Sequence, residues 1–290
     1  LPTLIDLRRR IRSVRNSQQI TQAMKTVATA RFKKAHRSVV ERGPFWHTFP
    51  ELAVSLSRKL DLPEHPYLQV RQEKKILTIV ITSDKGLCGS FNSNLLEMAS
   101  RFLQEKKESS EILVIPVGKK AVNFFKRTSY RLEKSFLDRV EKKVKEISHE
   151  LGRHLDYLFV FQKIDAVYVI YNEFRSIIAP RITLTRFLPI IGVSDQSGVG
   201  YLEPDWEPEA QRIIDYLLKF YLKSQVQHFL LESQAAEQAS RMMAMENATK
   251  NAEELISDLV LLMNKLRQAS ITKELLEIQT AVEAMRQQGE

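Results

Sequence analysis

Between Glu209 and Gln288 the chain runs for about 80 residues without a glycine or a proline. No other feature restricts the fold as much. A continuous helix of that length would span ~120 Å, several times the ~30 Å of a small domain, so it cannot be buried inside one. Its apolar residues form narrow stripes: Leu255, Leu259, Leu262 and Leu266 at spacings of 4, 3 and 4, then Ile271, Leu275, Ile278, Val282 and Met285 at 4, 3, 4 and 3. A five-residue step between the stripes rotates the seam. Ala235, Ala236, Ala239, Ala244, Ala248 and Ala252 favour helix and let another helix approach closely. Met242, Met243 and Met245 read as packing rather than as ligands.

The other end has the same character. Thr3 to Arg42 holds neither glycine nor proline, and Leu4, Leu7, Ile11 and Val14 recur at helix-seam spacing. In the same register come Gln18, Thr21 and Lys25, so the partner surface there must be partly polar. The formal net charge is +9, and residues 1–37 alone carry ten basic residues against the single acid Asp6, so the rest of the chain is balanced. A basic stripe of this kind suits nucleic acid, anionic lipid or an acidic protein surface, or simply faces solvent. The arginine-rich start reads as a structural helix rather than a transit peptide, because its pattern continues to about Val40. Two terminal helices with narrow stripes most simply pair as an antiparallel coiled coil.

The middle has a different texture. Ile76–Thr82, Ile112–Val117 and Ala166–Tyr171 are short β-branched runs suited to a sheet covered on both faces, and Ile182–Leu188 alternates like an edge strand. Helical stretches separate them: Asn94–Lys107, Lys119–Arg127, and a one-sided helix carrying Leu137, Val140, Val144, Ile147, Leu151, Leu155 and Leu158. Strands alternating with helices imply a mainly parallel sheet. The predicted fold class is therefore α/β plus a long α-helical coiled coil, with N- and C-terminal helices flanking a central Rossmann-like α/β domain. The expected divisions are 1–60, 74–200 and 208–288.

Several chemistries are excluded or disfavoured. Ser83 to Ser90 follows the first strand where a phosphate loop would lie, but Gly86 and Gly89 are too close for GxxxxGK[ST] and no GxGxxG is present. A tight strand-to-helix turn explains the two glycines better. One cysteine, Cys88, excludes an internal disulfide and has no visible histidine partner; the six histidines are scattered without metal spacing. No apolar run approaches a membrane span. Neither a cofactor nor a direct small-molecule substrate is expected.

Three segments closely resemble one family. Ile11–Ala35 (IRSVRNSQQITQAMKTVATARFKKA), Thr82–Leu95 (TSDKGLCGSFNSNL), and Ser233–Met285 with its Leu266–Thr272 core (LRQASIT) are similar to the gamma subunit of F-type ATP synthases. The resemblance is specific over roughly a third of the chain. It implies a rotor shaft that does no bond chemistry. The paired terminal helices would turn inside a ring of three alpha and three beta subunits, and the α/β domain would form a foot on the epsilon subunit and the membrane c-ring. It places Arg267, Gln268 and Thr272 in the family's catch region on beta-subunit loops, with Met24 and Lys25 in the segment packing beside it. Lys33 and Lys34, with the loop holding Asp84, Lys85 and Cys88, would meet the acidic lever of beta. Tyr201, Leu202 and Glu203 would lie near epsilon and the ring.

The function expected from this resemblance is coupling of ion-driven ring rotation to ATP synthesis, and the reverse. Its expected location is peripheral, on the cytoplasmic face of a bacterial plasma membrane. The photosynthetic cysteine pair is absent, so thiol regulation is not expected. The competing reading is a basic coiled-coil protein that binds nucleic acid or another acidic partner. That reading calls for aromatic residues among the basic ones, and Phe32 is the only one before Phe45. No nucleic-acid partner is therefore expected.

Overall fold

In the computed structural model, residues 3–41, 46, 65–137, 140–176, 181–190 and 210–287 are described. The described elements are α1 (Leu4–Val40), β1 (Lys75–Ile81), α2 (Phe91–Lys107), β2 (Glu111–Val117), α3 (Lys119–Phe125), β3 (Arg131–Leu132), α4 (Val144–Val160), β4 (Ala166–Glu173), β5 (Arg181–Leu188) and α5 (Ala210–Gln287). They form two compact units: residues 1–27 with 244–290, and residues 28–243. The division falls within α1 and within α5.

The larger unit is built on a five-stranded sheet in the order β3-β2-β1-β4-β5. β1 pairs in parallel with both β2 and β4, while β5 closes the edge antiparallel to β4. Alternate residues of the strands serve opposite faces. On one face Ile76, Val80, Ile112, Val114 and Ile170 pack with Leu95, Ala99 and Leu103 of α2 and Ala121 and Phe125 of α3. On the other, Leu77, Ile79, Ile115, Val167 and Val169 meet Ile147, Leu151, Leu155 and Leu158 of α4 and Leu222, Val226 and Phe229 of α5. Burial on both faces is why the strands read as continuous apolar runs.

The one-sided pattern beginning at Leu137 does not begin a helix there. Helix α4 starts at Val144, and Leu137 is 44% exposed, although Val140 still packs on the core. The Asp84 carboxylate accepts the Val140 N–H, which fixes 140 as a loop position. Strand β3, only two residues long, gives too short a pattern to read from sequence.

In the smaller unit, α1 opens with a reciprocal cap. The Thr3 hydroxyl donates to Asp6 Oδ2 at 2.7 Å, and the Asp6 N–H donates back to Thr3 Oγ1 at 3.2 Å. These hydrogen bonds hold the Asp6 carboxyl below its usual range. Leu7 and Ile11 bury themselves against Leu259, with Val14, Ile256, Val260, Met263 and Leu266 around them. The polar ladder that follows matches the fading of the apolar seam. Gln18 donates to Glu253 at 3.0 Å, Thr21 and Thr249 hydroxyls lie 2.8 Å apart, and Lys25 pairs with Glu246. As numbers rise on α1 they fall on α5, so this pairing is antiparallel.

The leucine stripe is only partly the seam. Leu259 and Leu266 face α1, but Leu255 and Leu262 are 38% and 41% exposed, because the contact face runs through Ile256, Val260 and Met263 instead. In the second stripe the described side chains Ile271, Leu275, Ile278 and Val282 are all exposed. The first residues of α1 are already spent on Leu259 and its neighbours.

Candidate functional site

The strand order reverses between β1 and β4, and in open α/β sheets the crevice beyond such strand ends is where ligands bind. Here the chain fills that position itself. Cys88 and Phe91 from the segment after β1 cluster with Ala236 of α5 and with Phe174, which follows β4. Asn172 Nδ2 donates to Phe91 O at 3.4 Å, and the Phe174 N–H donates to Glu232 of α5 at 2.8 Å.

Several of the loop's own polar groups are also occupied. The Ser83 N–H donates to Asn92 Oδ1 at 3.0 Å, and the Ser83 hydroxyl lies 2.6 Å from Lys85 O. Arg241 reaches the carbonyls of Lys85 and Gly86 at 3.4 and 3.3 Å and pairs with Glu237 at 2.7 Å. A phosphate loop presents amide donors outward; here the carbonyls of Lys85 and Gly86 are held by the Arg241 guanidinium instead. Gly89, at φ 58°, makes the left-handed turn expected of a glycine, but the other left-handed residue is Leu87, at φ 61°, and not Gly86, so only half of the expected glycine pair serves the turn.

The second candidate lies in the smaller unit. Arg267, Gln268 and Thr272 are exposed, and the Thr272 hydroxyl returns to Gln268 O at 3.0 Å along the helix. Every described residue from 267 to 282 is exposed, so this helical end presents both apolar and polar groups at its surface. A shallow groove of about 450 Å³ lies on the same unit, lined in part by Gln18, Gln22, Thr26 and Glu253.

A family model described as ATP synthase matches residues 3–285. An ATP synthase gamma chain from Chlorobaculum parvum is 37% identical over 99% of this chain and 100% of its own length. The chain belongs to the ATP synthase gamma-chain family. Another gamma chain of the family, from Prosthecochloris aestuarii, is 38% identical over 98% of this chain and 99% of its own. Among solved structures, the central stalk and c-ring of the Tetrahymena thermophila mitochondrial ATP synthase matches 79% of this chain and 99% of its own at 27% identity and TM-score 0.60. A chain of the Euglena gracilis mitochondrial ATP synthase shares the fold at TM-score 0.68 and 22% identity, over 97% of this chain and 94% of its own.

Within the gamma-chain family frame, the structure separates the residues that the resemblance grouped. Lys33, Lys34 and Lys85 are exposed. Cys88 is not available as a contact: it is 2% exposed, its sulfur takes a hydrogen bond from Asn92 Nδ2 at 3.2 Å, and burial pushes its thiol up and keeps it neutral. Asp84 is spent internally, each carboxylate oxygen accepting one backbone N–H, from Lys119 at 3.0 Å and Val140 at 2.9 Å. Met24 and Lys25 do not pack beside Arg267. Lys25 faces Glu246, 21 helical residues from Arg267 or roughly 30 Å along the axis. Tyr201, Leu202 and Glu203 lie outside the described residues.

Sequence reasoning missed Arg241, Glu237 and Glu232. The Glu237–Arg241 pair has i, i+4 spacing inside an alanine-rich stretch, and that was the available signal. Burial raises the Glu232 carboxyl above its usual range, partly offset by the Phe174 N–H. The folded state then holds this proton more tightly than the unfolded one, so stability falls as pH rises above 4.5. Glu232→Gln keeps an acceptor for Phe174 and removes the charge. Its melting temperature relative to the parent should climb with pH from 4.5 toward neutrality; parallel profiles would refute this.

Proposed function

We propose that the chain is the central rotor shaft of an F-type ATP synthase, coupling rotation of a membrane ring to conformational changes in catalytic beta subunits. The carrying observation is the helical end from 267 to 282, exposed throughout, with Ile271, Leu275 and Ile278 at 50%, 62% and 61%. An apolar stripe of that length on a protein of this family calls for an enclosing partner. A sleeve of three alpha and three beta subunits would provide one. Rotation within it would present different faces to each beta subunit, which is a coupling free energy rather than chemistry.

In this reading the subunit is non-catalytic and the ATP chemistry belongs to beta. Arg267, Gln268 and Thr272 touch beta loops; Lys33, Lys34 and Lys85 face its acidic lever. Tyr201, Leu202 and Glu203 meet epsilon and the c-ring. The driving ion is a proton or sodium. Among the described residues no helix is long and apolar enough to cross a membrane, which fits peripheral attachment at the cytoplasmic face of a bacterial membrane.

The nucleic-acid alternative loses its one stacking group. Phe32 is 8% exposed and packs on His36 and Phe174 with centroids at 5.4 and 5.1 Å. Purification of the tagged chain from its own cells tests the proposal. Recovery of alpha and beta subunits with a small ring protein is expected; recovery without them would end it.

A further inference from the structure

Polar bonds reach the loop after β1 directly from α5, and indirectly from α1 through Glu141, the neighbour of a residue that the loop holds. From α5, Arg241 binds the carbonyls of Lys85 and Gly86 while Glu237 holds its guanidinium at 2.7 Å. Next to these carbonyls, Asp84 binds the N–H groups of Lys119 and Val140. Glu141 follows Val140 directly and pairs with Arg31 of α1 at 3.2 Å. All of these residues belong to the larger unit.

Ala235, Ala236 and Ala239 of α5 are fully buried and offer no long side chains to interlock. Apolar packing is non-directional and resists separation better than sliding. Charge-assisted hydrogen bonds have fixed directions and resist shear.

We propose that Asp84 is a positioning residue at the centre of a clasp, formed with Arg241 and the Glu141–Arg31 pair, that fixes both terminal helices to the C-terminal edge of the sheet and carries torque between them. The torque role rests on the rotor reading; the clasp itself does not. Asp84 suits the centre because only a carboxylate accepts from two separate N–H groups with two equivalent oxygens. Asparagine would turn an N–H₂ toward one of those donors.

Two measurements on Asp84→Asn test the proposal. In the full isolated chain, amide hydrogen exchange at 119 and 140–143 should accelerate about tenfold. In the assembled complex, ions pumped per ATP hydrolysed should fall about threefold at near-parental hydrolysis, whereas a merely structural defect would lower both activities together. Unchanged exchange overturns the clasp whatever the pumping does. Accelerated exchange with an unchanged pumping ratio, or with both activities falling in proportion, overturns the torque role. If the parental complex pumps nothing, the rotor reading fails and exchange still decides the clasp.

Should Asp84→Asn not fold, Glu141→Gln and Arg31→Gln take its place, since both side chains are partly exposed at 33% and 42%. The pair should lower the pumping ratio no more than either change alone. Additive losses would overturn the clasp.

Discussion

Gly118→Ala is expected to cost about 3 kcal/mol or more of stability, because it combines a steric clash with backbone strain. Gly118 sits at φ 91° between β2 and α3, and a Cβ there would lie 2.2 Å from Thr82 O and 2.8 Å from its carbonyl carbon. Neither side can yield cheaply. The Thr82 N–H is bonded to Val117 O at 2.9 Å, its hydroxyl accepts the Ala121 N–H at 2.8 Å, and the Gly118 N–H donates to Phe136 O at 2.8 Å. Thermal or urea unfolding of the isolated chain checks this. A loss no larger than that of an ordinary surface glycine would mean that the strand ends separate readily.

Arg267→Ala combined with Gln268→Leu should lower ATP synthesis by the assembled complex about 30-fold, the equivalent of roughly 2 kcal/mol lost from hydrogen bonds to a charged group. The same changes should leave the isolated chain's stability within about 0.5 kcal/mol, as for exposed positions generally. Both residues are exposed, and the nearest internal bond, from the Thr272 hydroxyl, goes to the backbone of Gln268 rather than its side chain. Synthesis at the parental rate would remove the proposed beta contact. A large loss of stability would show that these residues serve the chain itself.

Much of the architecture was legible because it rests on local periodicity. The strands β1, β2 and β4 could be read from β-branched runs, and α1 and α5 from the absence of helix breakers over long stretches. The candidate site was less legible because its groups come from distant parts of the chain. Nothing adjacent in sequence shows that Asp84 binds residues 119 and 140, or that Arg241 closes on carbonyls 85 and 86. The expected role of Cys88 failed for the same reason: burial depends on Ala236, far along the chain.

The Met24 and Lys25 placement shows a second limit. Sequence stripes predict that two helices pair, but the register follows from which side chains fit opposite one another, here Thr21 with Thr249 and Lys25 with Glu246. The Leu255 and Leu262 positions failed similarly. They lie one helical step from the contact face, an angle of about 100° that a list of spacings does not anchor.

The sequence by itself determined the element types, the pairing of two long terminal helices, the doubly covered sheet and the absence of a phosphate-loop pattern, since composition and spacing control all of these locally. Tertiary structure alone decided the helix register, the filling of the strand-end crevice by α5, and the inward use of Asp84, Cys88 and Arg241. Those outcomes depend on long-range contacts, where burial and hydrogen-bond geometry choose among partners that a linear chain leaves equivalent.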